Sequence, residues 1–349
     1  MMLKIEPRKN RSNFLEVTAP VIAVFLTMIF GGFLFLSMGK NPFEAIKLIF
    51  WDPIMSPTFS EYSRPQLVIK AAPLILIALG LSFGFRANIW NIGAEGQYIM
   101  GALISGSIGL ALYPLDSMVI FPLMILGGII GGILWAMIPA ILKIRFNTNE
   151  ILVSLMLVYV AEQILALASV GFLRNPEGLG FPGSRDLSKY PSAANPELIA
   201  NSGIHMGVIF SIIAVIVLTY FLIYHRLGFQ IKLLGQAPKA SKFSGVNSNY
   251  IIIFCLGLSG GLAGVAGMFE LTGPAGLINI DFNVGYGFTA IIVAFLGRLH
   301  PIGILFAGLL MSLTYVGGEL AKFMLNLPAA AILVFQGMLL FFLLSTDLL

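Results

Sequence analysis

The chain has 349 residues, of which 58% are hydrophobic and only 10% charged, with a formal net charge of +4 and a mean hydropathy of +0.94. A soluble domain is about half apolar and about a quarter charged, so this chain carries too little charge to cover itself in water and is solvated by lipid. Its basic residues are spread among short loops, as topology signals are, and do not point to nucleic acid. Cys255 is the single cysteine, which excludes an intrachain disulfide or a cysteine-based metal site.

Apolar runs long enough to cross about 30 Å of hydrocarbon as helices recur along the chain. The alternating segments of a membrane barrel are absent. The sequence therefore predicts an all-α polytopic membrane protein with about ten transmembrane helices, over 19–38, 66–85, 88–112, 117–142, 149–172, 205–224, 250–271, 285–297, 301–317 and 328–345. The eighth run is short enough to be half of a broken helix. The first follows a charged leader, 1–18, and has no A-x-A cleavage pattern, so it reads as an uncleaved helix. Lys4, Arg8, Lys9 and Arg11 of the leader fall on the same side as Arg86, Lys143, Arg145, Arg226, Lys232, Lys239, Lys242 and Arg298. By the positive-inside rule that side, with both termini, is expected to be cytoplasmic. The 39–65 and 174–204 loops mix signs and read as partly ordered caps on the other side. Residues 1–349 are expected to form one transmembrane domain, with 226–249 as a cytoplasmic loop.

Glycines recur inside the spans. Gly127, Gly128, Gly131 and Gly132 form two overlapping small-xxx-small pairs, and Gly257, Gly260, Gly261, Gly264 and Gly267 do the same in the seventh span. Small residues let helix backbones approach where lipid supplies no hydrophobic drive, so a tight bundle is expected.

The stretch WNIGAEGQ, Trp90–Gln97, sits between two long apolar runs. At 100° per residue Asn88, Asn91, Glu95 and Ala102 share one narrow arc. Gly93, Gln97, Gly101, Ser105 and Gly109 follow i, i+4 spacing on another. A helix here would have one polar face and one small-residue ridge, and the two glycines also permit a break. The polar face cannot meet lipid, because a charge near the bilayer centre costs at least about 3 kcal/mol. Two readings stand: Glu95 ties helices together by hydrogen bonds, or it lines a transport path. Glu162 and Gln163 form a second polar island in the fifth span, open to the same two readings. Gln336 reads as packing glue, Thr272–Asn283 as a turn on the outer side, and Asn147 as a helix cap with Glu150 three residues on. His205, His225 and His300 are far apart near span ends and read as interfacial side chains, so no metal site is assigned.

The 226–249 stretch contains no acid. Within it Pro238 suits the first position of a short helix and Gly245 its end, with Lys239, Ala240, Ser241, Lys242, Phe243 and Ser244 between. It reads either as a plain positive-inside loop or as a rigid knob for a partner groove. There is no G-x-x-x-x-G-K-[ST] phosphate loop, since Gly39-Lys40 is followed by Asn41, so ATP is not bound by that means. H-E-x-x-H is absent too, and no nucleophile elbow appears: the two strings of G-x-S-x-G form, Gly80–Gly84 and Gly257–Gly261, lie inside long apolar runs and not at a strand-to-helix turn.

FRANIWNIGAEGQYIMGA resembles the signature of membrane-spanning permease subunits of bacterial ABC importers in the branched-chain amino acid/simple sugar permease superfamily, most closely its nucleoside-type branch. GFQIKLLGQAPKASKFSGVN resembles that family's cytoplasmic coupling segment, and GYGFTAIIVAFLGRLHPIG its second-half motif. The matches extend from about residue 85 to about residue 310. The resemblance implies a multi-pass permease of the bacterial cell (inner) membrane that pairs with a second permease, identical or related. Two cytoplasmic ATP-binding subunits would drive it, and an extracytoplasmic binding protein would deliver a nucleoside or, next, a simple sugar. No cofactor is implied in this chain, ATP being held by the partner subunits, and no enzymatic chemistry. Carried over, Asn91, Glu95 and Gln97 would lie near the translocation path, and Gly235, Pro238, Ala240 and Gly245, with Lys239 between them, in the ATPase coupling helix. Ala237 departs from the Asn that commonly precedes the coupling Pro. The competing reading is a secondary transporter driven by an ion gradient, with Glu95 and Glu162 as ion or proton sites. An intramembrane enzyme finds no second motif.

Overall fold

The computed structural model describes residues 13–346; the leader cations Lys4, Arg8, Lys9 and Arg11 lie outside them. The helices run α1 (Asn13–Ser37), α2 (Pro42–Phe50), α3 (Asp52–Met55), α4 (Ser60–Arg86), α5 (Ala94–Ala111), α6 (Ile120–Phe146), α7 (Glu150–Val170), α8 (Met206–Tyr224), α9 (Arg226–Gln236), α10 (Pro238–Phe243), α11 (Ser248–Thr272), α12 (Tyr286–Leu296), α13 (Pro301–Leu325) and α14 (Ala329–Thr346). Among the described residues eight are long and apolar enough to cross a membrane, one each in α1, α4, α6, α7, α8, α11, α13 and α14. The two remaining expected spans are α5, whose first turn is polar, and α12, which has only 11 residues. The predicted helical architecture and the short eighth span are both present. The 39–65 and 174–204 segments are partly ordered, the first by α2 and α3, the second by a 3-10 turn and a bridge between Glu197 and His205.

The chain divides into two compact units: the residues up to Pro53 with those from Gly317 onward, and Ile54–Val316. In the first, Phe35, Leu48, Ile49, Ala321, Leu327, Ile332 and Phe335 belong to one buried core, and Phe35 stacks on Phe335 at 5.8 Å. Asn41 starts α2 by accepting from the Phe43 N–H at 3.0 Å, ahead of Pro42 at the first helical position, where a missing N–H costs nothing.

In the second unit α4 and α11 are the interior helices, with every residue from Ala71 to Phe85 buried in α4. α6, α7 and α8 turn rows of large apolar side chains outward, among them Leu126, Leu134, Leu152, Tyr159, Ile212 and Ile216, as lipid-facing helices do. The glycine pattern explains what joins these layers. A Cβ on Gly132 would overlap the Gly260 carbonyl, one on Gly264 the Gly128 carbonyl, and one on Gly101 the Gly264 backbone. α5, α6 and α11 thus touch backbone to backbone. The predicted α5 ridge does not face one neighbour, however. Gly93 abuts Ser154, Gly101 abuts Gly264 and Gly109 abuts Met124.

Helix ends correct two local expectations. Asn147 does not start α7; it ends α6 in the left-handed region at φ 51°, a conformation Asn tolerates. Asn149 is the cap, accepting from the Ile151 N–H at 2.9 Å. The span expected over 88–112 begins at Ala94, because Asn88, at φ 58°, closes α4. The Ile89 N–H reaches the Gly84 carbonyl at 2.8 Å and the Asn88 N–H reaches Phe85 at 3.1 Å, the paired bonds of a Schellman stop. His205 and His225 start α8 and α9, each accepting a backbone N–H on Nδ1, from Gly207 and Leu227.

Candidate functional site

Residues 87–93 are the break that the two glycines of WNIGAEGQ allow. Asn91 organises it. Its Oδ1 accepts from the Gly93 N–H at 3.0 Å and from Gln97 Nε2 at 3.1 Å. Its Nδ2 donates to Gln97 Oε1 at 2.8 Å and to Ser259 Oγ at 2.9 Å. Asn91 and Gln97 thus form a reciprocal amide pair, fully buried with Ser259. Such groups stay buried only because they satisfy each other. Ser259 is the twelfth residue of the 25 in α11. At 1.5 Å per residue that is about 16 Å along the helix, so the pair sits deep between the two ends of the bundle. The chain leaves α4 at its end, turns back inward, and starts α5 at depth. On the way the Ile92 N–H donates to Ser154 Oγ at 3.2 Å and the Trp90 N–H approaches Glu150 Oε1 at 3.5 Å. Glu150, also paired with Lys143, pins the break to the start of α7.

Glu95 is fully buried in the first turn of α5. Its carboxylate faces the N-terminus of α12, where the Gly285 N–H donates to Oε1 at 3.1 Å and the Gly287 N–H donates to Oε2. The first N–H groups of a helix have no partner inside it and carry the positive end of its dipole, so a carboxylate completes α12. Gly285 adopts φ +82°, and a Cβ on Gly287 would overlap the backbone of Glu95. Both positions need glycine, one for its torsion and one for the close approach. Asn283 extends the contact to α7: its Nδ2 donates to Glu162 Oε1 at 2.7 Å and its Oδ1 accepts from Gly285 at 3.3 Å. Glu162 is the thirteenth of the 21 residues of α7, again near mid-helix. A second break, ahead of α12, therefore meets the first at depth, and acids on α5 and α7 hold it.

The structure gathers Asn91, Glu95, Gln97 and Glu162 into these linked networks. Asn88 and Gln163 are exposed and lie outside them; Asn88 serves as the helix stop and accepts from Trp90 Nε1 at 3.1 Å. Sequence reasoning missed Ser154, Ser259 and Asn283, single polar residues that only packing reveals. It also missed Tyr98, fully buried and stacked on Phe282 at 5.3 Å, and the Lys70–Glu270 interaction between α4 and α11. The last had a signal: one lysine and one glutamate inside otherwise apolar runs.

At the end of the bundle where α4 stops, α10 forms as Pro238 and Gly245 predict. Gly245 is left-handed at φ +73°. Val246 N–H to Ser241 O and Gly245 N–H to Lys242 O, both 3.2 Å, make a second Schellman stop. Ser241 is buried under the helix, while Pro238, Lys239, Ala240, Lys242 and Gly245 are exposed and Phe243 is 95% exposed. Gly235 on α9 lies so close to the end of α4 that a Cβ would overlap the Arg86 carbonyl. Arg86 Nε in turn donates to the Leu299 carbonyl at 2.9 Å, in the turn after α12. α9 thus rests on the residue that leads into the first break and that grips the far end of the helix behind the second.

Residues 65–344 match the family described as branched-chain amino acid transport system / permease component. The chain is 29% identical over 355 residues to a glucose ABC transporter permease protein of Haloferax volcanii, covering 99% of this chain and 91% of that one. It is 28% identical over 312 residues to a nucleoside ABC transporter permease protein of Lactococcus lactis (86% and 84% covered), and 26% over 318 residues to a guanosine ABC transporter permease protein of Bacillus subtilis (90% and 87%). No solved structure matches the chain. With a family match over four-fifths of its length and a bundle of apolar helices, the chain is a multi-pass cell-membrane protein and belongs to the permease components of branched-chain amino acid-type ABC transport systems.

Proposed function

We propose that the chain is the permease subunit of an importer that carries a small polar solute into the cell, a nucleoside first and a simple sugar next. ATP is hydrolysed by separate subunits docked on α10. A second permease, identical or related, completes the passage, and an extracytoplasmic binding protein loads it. The α9–α10 side is then cytoplasmic. The observation that carries this reading is α10 itself, an exposed, acid-free knob of two lysines and a bare phenylalanine, mounted through Gly235 on the end of α4. A free-standing transporter has no use for it. The permease relatives named for nucleoside, guanosine and glucose transport supply the substrate class. In this mechanism the ATP-binding subunits close and push α10. α9 passes the displacement to Arg86, and from there to both breaks. The two orientations of the bundle then exchange population because the nucleotide-bound partners bind one better than the other.

Uptake of labelled nucleosides and pentoses, compared in cells with and without the gene, tests this. Uptake is expected to need the gene and to survive collapse of the proton gradient while ATP is maintained. Uptake that stops with the gradient would hand the case to an ion-driven transporter with Glu95 and Glu162 as its sites. The docking assignment has its own check. Gly245→Arg forces a side chain into left-handed backbone, which costs about 1–2 kcal/mol, and puts a bulky cation on the knob. It is expected to leave the permease in the membrane at normal level but to lose at least about tenfold of the co-purifying ATP-binding subunit. Full recovery of that subunit would refute the assignment.

A further inference from the structure

A cavity of about 330 Å³ opens between the last turn of α8, the face of α9 and the α12–α13 turn, in the range of small-ligand sites. Its polar wall is Arg86, Lys232 and His300; its apolar wall includes Leu222, Ile223 and Phe229. Among the described residues no acid forms an ion pair with any of the three basic side chains. Arg86 is steadied by a bond from Nε to the Leu299 carbonyl, and among the described residues no acceptor is recorded for its two Nη groups, which leaves them for a ligand. The apolar wall is open to the surrounding medium, with Ile223 58% and Phe229 66% exposed, Tyr220 beside them is 66% exposed, and α8 is a membrane-crossing helix. An unneutralised cationic pocket beside a lipid-facing helix end is the arrangement that takes an anionic headgroup, with its acyl chains lying along the helix.

We propose that this cavity binds the phosphate of an anionic phospholipid, which bridges Arg86 on α4 to Lys232 on α9. The phosphodiester would accept from both cations, its glycerol would fill the cavity, and its chains would follow the outer face of α8. Burial, and then the charge of Arg86, hold the imidazole of His300 below its ordinary pKa, so the imidazole adds little charge to the pocket near neutrality. Since Arg86 also supports Gly235 and Leu299, a bound lipid would brace the joint between α9 and the two breaks. The proposal is independent of what the permease carries.

The test is lipid retention by the full chain, purified from mixed phosphatidylglycerol and phosphatidylcholine bilayers and weighed intact by native mass spectrometry. One phosphatidylglycerol per chain is expected to outlast delipidation, and phosphatidylcholine is not. Lys232→Gln is expected to weaken that retention about fivefold, the worth of one cation at a membrane surface. Lys232→Arg is expected to keep it, and Lys242→Gln, on exposed α10, to leave it unchanged. Equal loss in Lys232→Gln and Lys242→Gln would reduce the effect to general charge and overturn the site. So would retention of both lipids alike, or displacement of the lipid by millimolar inorganic phosphate, which would make the cavity a free-phosphate site.

Discussion

Gly264→Leu is expected to abolish the folded protein. Any side chain there meets the Gly128 carbonyl and, at 2.9 Å, the Gly132 Cα, while Gly101 presses from α5. All of these obstacles are backbone, so no rotamer change relieves them. The three helices must part, and with them the contact that replaces hydrophobic drive inside a membrane. Overpacking of a side-chain core costs about 1–3 kcal/mol. Separating two backbone interfaces exceeds that, against a total stability of about 5–15 kcal/mol. The variant is expected to disappear from the monodisperse peak on size-exclusion chromatography in mild detergent. Gly257→Ala, on the same helix, meets only the flexible end of Met137 at 3.2 Å and is expected to elute as wild type. Indistinguishable profiles for the two would show that the glycine seam is not what holds α5, α6 and α11 together.

The same seam marks how far the sequence could be read. Spans are legible because the thickness of hydrocarbon fixes their length, and the glycine pairs of α6 and α11 are legible because their spacing follows the helical period. The break was half legible. Two glycines in WNIGAEGQ announced that the helix need not be straight, but angular spacing still grouped Asn88 with Asn91 and Glu95. What separates them is a backbone event, the left-handed turn at Asn88, and side-chain periodicity carries no record of it. Partners were the least legible. Asn91 meets Ser259 across 168 positions and Glu95 meets Gly285 across 190, contacts that depend on how whole helices pack. The sequence said that Glu95 must face inward; it could not say that a helix end waits there.

That helix end decides what Glu95 does. The fully buried carboxylate has its two oxygens on the N–H groups of Gly285, the cap of α12, and Gly287, in its first turn, which gives the first of the two readings a concrete form: the acid is a tie. In the proposed mechanism a tie between two broken helices still bears on transport, because α12 runs from Glu95 to the turn gripped by Arg86, the residue under α9. Glu95→Gln is the discriminating change. An amide presents one acceptor and one donor, so one of the two N–H groups, of Gly285 or of Gly287, loses the carboxylate oxygen and faces another N–H. A hydrogen bond to a charged group is worth about 1.5–3 kcal/mol, and the attraction of the carboxylate to the helix end adds about 0.3–1 kcal/mol. The Asn91–Gln97 pair and the glycine seam are untouched, so the subunit is expected to reach the membrane at normal level. Uptake is expected to fall at least about tenfold, with the ATP-binding subunit still attached. Gly287→Ala, which drives α12 off the same carboxylate, is expected to give the same profile without altering any charge. If Gly287→Ala transports normally while Glu95→Gln does not, the charge acts on something other than α12, and the ion-site reading regains its ground. If both transport normally, the junction between the two breaks does not move during the cycle, and the displacement passed on by α9 must be absorbed elsewhere in the bundle.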